Sequence, residues 1–204
     1  MSHSRRTHFE RLRISLTWCY GLFIAILAIF GESRLQTSLL GTVFLTLGGI
    51  LAAVGAFGRL WCSLYIAGYK NKTLVTVGPY SLCRNPLYFF SFIGAIGIGL
   101  STGSFTVPLI IICGFAIYYP LVVSAEEARL ALLHGEHFHR YQQNTPAFFP
   151  RFSAFSEPKE YAVLPIIFRK DIGDSVWFVW IICLLQLISA LRDFSYIPTL
   201  FTLY

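Results

Sequence analysis

The sequence predicts an all-α, polytopic integral membrane protein with about five transmembrane helices. Of its 204 residues, 55% are hydrophobic and only 13% are charged. This composition is too apolar for a soluble domain of that size. A single uncharged stretch, residues 85–125, is also long enough to cross a bilayer twice at about 20 residues per crossing. We therefore treat residues 1–204 as one membrane domain.

Apolar runs separated by polar or turn-forming segments are interpreted as the membrane helices. The third and fourth runs are joined by a short Ser/Thr/Gly turn and are expected to form a helical hairpin. After the fourth run, the chain is expected to stay helical to about Tyr141 and to be irregular until the final transmembrane helix. The five runs cover residues 14–30, 39–57, 87–100, 107–123 and 176–191.

Small residues recur in two of these runs. Gly48 with Ala52, and Gly49 with Ala53, lie one helical turn apart, which allows helix backbones to approach closely. The third run also contains small residues, which we expect to leave room for a lipid to enter sideways from the bilayer: Gly94, Gly97 and Gly99.

The distribution of basic residues predicts orientation and partners. Fourteen of the 16 lysines and arginines fall in residues 1–13, 58–86 and 124–174, and only Arg34 and Arg192 lie on the other side. The positive-inside rule then places the amino terminus and both long connections in the cytosol, at a bacterial inner membrane or the endoplasmic reticulum. Despite the net charge of +6, the cations form no stripe typical of nucleic-acid binding. Anionic membrane lipids are the expected partners.

The stretch from Gly78 to Tyr88 concentrates polar groups at the start of the third run. Gly78 and Pro79 indicate a turn, and Pro86 suits the first position of a helix. Arg84 is therefore held at a helix entrance. There it either extends to lipid phosphates or belongs to a functional site.

Two acids, Glu126 and Glu127, lie at the end of the fourth run, where an inserted charge costs up to about 3 kcal/mol. Glu126 is expected to pair with Arg129 one turn away. Glu127 points about 100° around the helix and has no such local partner. The hairpin brings this helix end beside the start of the third run, which predicts a polar cluster of Arg84, Asn85, Tyr88, Glu126 and Glu127.

The order Gly78-Pro79-Tyr80, Arg84 to Tyr88, then Glu126-Glu127, Tyr141 and two prolines resembles a known family. The stretch 78–150 is similar to the isoprenylcysteine carboxyl methyltransferase and phospholipid methyltransferase group, and forms the methyltransferase-like core. The resemblance implies a multi-span enzyme that uses S-adenosylmethionine at the cytosolic face. Its acceptor would be lipophilic: a prenylcysteine carboxylate, a phospholipid amine or another small lipid.

The resemblance also implies roles for individual residues. Arg84 and Glu127 would be catalytic. Carboxylates would receive the cofactor's ammonium or ribose hydroxyls, Arg84 its carboxylate, and tyrosine rings its sulfonium. The family often has histidine where this chain has Asn85, and because an amide does not take up a proton, Asn85 is expected only to orient. The cofactor-binding set is Tyr80, Arg84, Asn85, Tyr88, Glu126, Glu127 and Tyr141.

The sequence also allows two other functions. No Gly-x-Gly-x-x-Gly motif follows a predicted strand, so a bound nucleotide would have to be held by helix ends. His134, His137 and His139 with Glu136 have only partial metal-ligand spacing, and no metal is expected. The other two hypotheses are an NADPH-dependent membrane reductase of the sterol reductase type, and a non-catalytic membrane protein whose polar cluster only fastens helices.

Overall fold

The computed structural model describes residues 8–69 and 72–204, with the side chains of 18–69 and 72–204. These residues form seven α-helices, one 3-10 turn and a two-stranded sheet. The amino-terminal arginines and Lys70, which contributed to the predicted orientation, lie outside the described side chains. The elements are α1 (His8–Phe30), β1 (Gly31–Ser33), α2 (Leu39–Ile66), α3 (Pro79–Leu82), α4 (Pro86–Leu100), α5 (Thr106–His134), α6 (Glu136–Asn144), the 3-10 turn (Phe152–Ala154), α7 (Pro165–Asp193) and β2 (Phe201–Leu203).

The predicted all-α membrane architecture is confirmed. In the described part of the chain, three helices, α2, α5 and α7, are long and apolar enough to cross a membrane. Two shorter apolar helices, Trp18–Phe30 within α1 and the whole of α4, correspond to the first and third predicted runs. All five runs are helical, and three of them meet the length required for a complete crossing.

Several helix boundaries differ from the prediction. α2 continues past residue 57 to Ile66, and α7 begins at Pro165 in a segment predicted to be irregular as far as residue 174. In both places charged residues interrupt the apolar pattern without breaking the helix, and Pro165 suits the first helical position. The prediction of helix to about Tyr141 was close, because α5 and α6 are separated only at Gly135, whose φ is +50°.

Successive helix connections alternate between two ends of the molecule. One end, the sheet face, contains residues 31–38, 101–105 and 194–204, and the hydroxyl of Ser33 there donates to the carbonyl of Gly103 at 2.6 Å. The other end, the site face, contains residues 67–69, 72–86 and 124–164. Among the described side chains, Arg34 lies at the sheet face, where Arg192 of α7 donates to the carbonyl of Gly31. Six cations lie at the site face: Lys72, Arg84, Arg129, Arg140, Arg151 and Lys159.

A small parallel sheet closes the sheet face. β1 pairs with β2 in the register Gly31 to Phe201 and Ser33 to Leu203. Next to it, the main-chain oxygen of Tyr204 accepts hydrogen bonds from the amides of Phe105 and Thr106, at 2.7 and 2.9 Å. No strand was predicted here, because each strand is only three residues long and its partner lies at the far end of the chain.

α2 and α4 pack through small residues. A Cβ added at Gly97 would lie 2.5 Å from the amide nitrogen of Ala52 and 2.6 Å from the carbonyl oxygen of Gly48, so the two backbones are in direct contact. The predicted close approach at Gly48 and Ala52 is confirmed. The parallel prediction for Gly49 is wrong, since nothing lies within 4 Å of a Cβ placed there.

The glycines of α4 do not leave space for a lipid, contrary to the prediction. The position that a Cβ would occupy at Gly94 is filled by the ring of Phe178 from α7. The α2 backbone reaches the same glycine, because a Cβ at Gly55 would lie 2.5 Å from the Cα of Gly94. These glycines therefore serve helix packing.

This packing predicts that Gly97→Ala destabilises the protein by about 1–3 kcal/mol, since the added methyl must push α2 away from α4. Gly49→Ala is the matched control, because it makes the same change on α2 at a position where nothing lies within 4 Å of the added Cβ. The free energies of unfolding of both variants can be compared in detergent by titration with sodium dodecyl sulfate. An equal effect of the two substitutions would contradict the close packing of α2 and α4.

Candidate active site

Arg84 is fixed in position by its own backbone. Cys83 before it is extended, and Pro86 starts α4 two residues later, so the local sequence holds Arg84 between two helices. The amide of Arg84 donates to the carbonyl of Pro146 at 2.8 Å, which ties this segment to the chain that follows α6. The side chain is therefore directed by a fixed stretch of backbone.

The guanidinium of Arg84 joins α5 to α6. Its Nε donates to Oε1 of Glu127 at 2.8 Å, and the side chains of the two residues are only 12% and 17% exposed. One terminal nitrogen donates to the carbonyls of Gln142 and Thr145, at 2.8 and 2.6 Å. Arg84 thus satisfies carbonyls at the carboxyl end of α6, where a positive charge is favoured.

Glu127 accepts from two partners, neither of which lies on its own helix. Its second oxygen, Oε2, accepts from the amide nitrogen of Gln142 at 3.1 Å. Glu126 was expected to pair with Arg129, yet within the described residues no ion pair joins them. The hairpin brings Arg84 to Glu127, and the half-buried carboxylate of Glu126 has no ionic partner among the described side chains.

Gln142 and Thr145 were not among the residues predicted from the sequence. Phe138 and Thr145 are buried, and Tyr141 and Gln142 lie between them at one-turn spacings. This i, i+3, i+4, i+7 pattern marks the inner face of α6. The same pattern was visible in the sequence and could have identified Gln142.

Tyr80 and Tyr141 meet through a main-chain contact. The hydroxyl of Tyr141 donates to the carbonyl of Tyr80 at 2.6 Å. The ring of Tyr80 instead packs in a core cluster with Cys62 and Tyr65, and its hydroxyl has no hydrogen-bond partner among the described residues. Burial raises the pKa of both tyrosine hydroxyls well above the usual value. The structure therefore places Tyr80 in the core, enclosed by protein, and not at an open ligand surface.

Asn85 is held by the segment after α6. Its amide nitrogen donates to the carbonyl of Ala147 at 3.1 Å, and the Tyr119 hydroxyl approaches the same carbonyl at 3.3 Å. The side chain of Asn85 is thus fixed in one orientation. Because an amide does not take up a proton, the contribution of Asn85 that the structure shows is this hydrogen bond.

Aromatic rings surround this part of the site. The rings of Tyr88 and Tyr119 meet edge to face with centroids 6.1 Å apart. Phe148 contacts Tyr119 at 4.6 Å and Phe89 at 5.5 Å, so the segment after α6 packs on α4 and α5. These rings form an apolar wall beside the hydrogen-bonded group of Arg84, Glu127, Gln142 and Thr145, which we call the Arg84 network.

Cys83 lies next to Arg84 but is not a reactive thiol. Its side chain is fully buried, and burial raises the pKa of the thiol to about 11. Because the thiolate is the nucleophilic form, a raised pKa opposes nucleophilic chemistry at this position.

The histidines of the site face lie near cations and not in a metal cluster. Among the described residues, no group of three or more His, Cys, Asp or Glu side chains is placed to hold a metal ion. His134 and His137 line an open cavity of about 720 Å³, which we call the basic cleft. Its other lining residues are Lys72, Thr73, Leu74, Thr76, Ser81, Arg140, Tyr141, Asn144, Thr145, Arg151, Ala154 and Ser156.

Comparison with known proteins identifies the family. A sequence profile described as phospholipid methyltransferase matches residues 35–137, which include the Arg84 segment and the two acids at the end of α5. The chain belongs to the phospholipid methyltransferase family. The predicted resemblance is therefore confirmed. No solved structure matches the chain.

Of three relatives of this phospholipid methyltransferase family member, two are named as metal resistance proteins and one as a methyltransferase. The cobalt-zinc-cadmium resistance protein CzcN of Cupriavidus metallidurans is 36% identical over 203 residues, covering 100% of this chain and 94% of the relative. The nickel-cobalt-cadmium resistance protein NccN of Alcaligenes xylosoxydans xylosoxydans is 38% identical over 176 residues, covering 86% and 82%. A protein-S-isoprenylcysteine O-methyltransferase of Schizosaccharomyces pombe is 32% identical over 132 residues, covering 63% and 55%.

The structure of this phospholipid methyltransferase family member brings most of the predicted site residues into one region. Arg84 contacts Glu127 directly, and Asn85 and Tyr88 follow it at the start of α4. Glu126 precedes Glu127 on α5. The hydroxyl of Tyr141 donates to the main-chain carbonyl of Tyr80, and the ring of Tyr80 packs in the core.

This network predicts that Glu127→Gln lowers the free energy of unfolding by about 1–3 kcal/mol, because Arg84 loses its charged partner in a mostly buried position. Glu126→Gln, one residue away, should change it by less than about 0.5 kcal/mol. The measurement is again a detergent titration that follows helix content. Similar destabilisation by both variants would show that the Arg84 pair is not the stabilising contact.

Proposed function

We propose that this protein transfers a methyl group from S-adenosylmethionine to a lipophilic acceptor at the site face. The observation that carries the proposal is the buried contact of Arg84 with Glu127, which joins the two motif segments in a member of the phospholipid methyltransferase family. A protein that only needed to fasten its helices could do so with apolar packing, and would not need a charge pair with a free acid beside it.

The residues of the site fit the chemistry of this cofactor. S-adenosylmethionine supplies an electrophilic methyl group on a sulfonium, together with a carboxylate, an ammonium and ribose hydroxyls. Arg84 uses Nε and one terminal nitrogen within the protein, which leaves its other terminal nitrogen for a carboxylate. Glu126 is the acid available for the ammonium or a ribose hydroxyl, because both oxygens of Glu127 are engaged.

Aromatic rings provide the complement for a sulfonium. Tyr88, Tyr119 and Phe148 form the wall next to Arg84, and their faces attract cations at about 0.5–2 kcal/mol each. Tyr80 was expected to share this task, but its ring is buried in the core. In the proposal its place is taken by Tyr119 and Phe148. Tyr141 was also expected to face the sulfonium, but its ring contacts Phe138 and its hydroxyl donates to the Tyr80 carbonyl.

The chain's own residues then act by positioning. Glu127 and Gln142 fix the guanidinium of Arg84, and Asn85 fixes the segment that carries Phe148. An in-line methyl transfer depends on alignment and exclusion of water. If the acceptor is an amine, the oxygen of Glu126 that does not bind the cofactor can receive its proton directly or through water, whereas an ionised carboxylate acceptor needs no base.

We propose that the site face is cytosolic, because the positive-inside rule favours the end that carries most of the cations. We further propose that the membrane is a bacterial inner membrane, because the two resistance proteins named above come from bacteria. The acceptor then arrives from the bilayer and the cofactor from the cytosol. Membrane lipids are the neighbours of the helices, and no nucleic acid is involved.

We expect the detergent-solubilised protein to bind S-adenosylmethionine and S-adenosylhomocysteine, but not NADPH, in isothermal titration calorimetry. Glu126→Gln and Arg84→Gln should weaken binding at least about tenfold, since each removes a charged hydrogen-bond partner. Asn85→His should retain binding, and the exposed Arg129→Gln is the control. Binding of NADPH alone would favour the reductase hypothesis, and binding of no cofactor would favour a non-catalytic protein.

A second part of the proposal concerns the cell. The full-length similarity to a cobalt-zinc-cadmium resistance protein suggests that the methyl transfer supports tolerance of divalent transition metals. A deletion strain should then grow poorly in cobalt, zinc or cadmium salts. Growth should be restored by the unchanged protein and by Arg129→Gln, but not by Arg84→Gln. Full rescue by Arg84→Gln would separate metal tolerance from methyl transfer.

A further inference from the structure

The basic cleft carries an unusual set of charges. Its lining includes three permanent cations, Lys72, Arg140 and Arg151, and two histidines, and none of the described lining residues is an acid. Like charges gathered in one cavity repel each other, and a bound anion removes that cost. The cleft therefore has the electrostatics of an anion-binding site.

The three cations come from separate parts of the site face. Lys72 lies in the connection between α2 and α3, Arg140 on α6, and Arg151 just before the 3-10 turn. Arg151 is held in place by donating to the carbonyl of Asn144 at 2.5 Å. Hydroxyl and amide groups of Thr73, Thr76 and Asn144 add uncharged hydrogen-bond donors to the lining.

We propose that the basic cleft binds a phosphate group. A phosphate offers up to four oxygens that can accept from several directions, and arginine and lysine suit it as a planar donor pair and a point charge. The opening of about 720 Å³ has ample space for a phosphate with an attached organic group. The phosphate can belong to a lipid headgroup or to a soluble molecule.

The cleft adjoins the Arg84 network but is separate from it. Neither Arg84 nor Glu127 lines the cleft. Thr145 connects the two, since it lines the cleft and its carbonyl accepts from Arg84 at 2.6 Å. A phosphate bound there would link Arg140 to Lys72, and so would hold α6 against the connection between α2 and α3. The inference does not rest on methyl transfer, and its test needs no cofactor.

The test measures phosphate binding by the full chain in an uncharged detergent, in two arms. Inorganic phosphate is titrated calorimetrically at constant ionic strength, and retention of phosphatidylglycerol is compared with that of phosphatidylcholine by native mass spectrometry. The variant Lys72→Gln with Arg140→Gln removes two cleft cations. The control, Arg129→Gln with Lys159→Gln, removes two exposed cations outside the cleft. Circular dichroism confirms that both variants keep their helices.

We expect the cleft pair to weaken phosphate binding at least about tenfold, and the control pair less than about twofold. Preferential retention of phosphatidylglycerol, lost in the cleft pair, assigns the site to a lipid headgroup. Binding of inorganic phosphate without such retention assigns it to a soluble phosphate. Equal losses in the two pairs, or no binding of either ligand, would overturn the proposal.

Discussion

The ion pair of Arg84 with Glu127 is the contact on which the arrangement of the site depends. An arginine at a mostly buried position costs several kcal/mol unless it is paired and fully hydrogen-bonded. Here Glu127 from α5 and two carbonyls from the end of α6 satisfy it together. Three elements that are separate in sequence are thereby brought to one point, and none can shift without exposing an unpaired charge.

The pair has this effect because α4 is itself held rigidly. Gly97 and Gly94 allow the α2 backbone to lie directly against α4, and Phe178 of α7 fills the remaining space. The start of α4, and with it Arg84, is then fixed relative to three helices. Near the site-face end of α2, the hydroxyl of Tyr161 donates to the carbonyl of Tyr65 at 2.7 Å. This hydrogen bond anchors the chain that leads into α7.

Features with a local cause could be predicted from the sequence, and features that depend on distant partners could not. The apolar composition predicted a membrane protein. Pro86 predicted the start of α4, because a proline fits the first helical position. The meeting of Arg84 with the acids followed from the hairpin. The sequence also singled out Glu127 as the acid without a local partner, whereas the expected pair of Glu126 with Arg129 is not among the ion pairs of the described residues. The β1 and β2 pairing and the burial of the Tyr80 ring have a tertiary origin.

The shortness of α4 has a consequence for where chemistry can take place. Its 15 residues span about 22 Å, whereas the 28 residues of α2 and the 29 of α5 span about 42–44 Å. A hydrocarbon layer of about 30 Å is thicker than α4 is long. All α4 side chains are buried or half-buried, so the neighbouring helices cover this helix, which is shorter than the hydrocarbon layer is thick. The contacts of Gly48 with Ser101 and of Gly58 with Phe90 show where the difference in length lies. α2 extends beyond α4 mainly at the sheet face, so the polar start of α4 lies close to the site-face end of α2, at the boundary where a charged cofactor and a lipid can both approach.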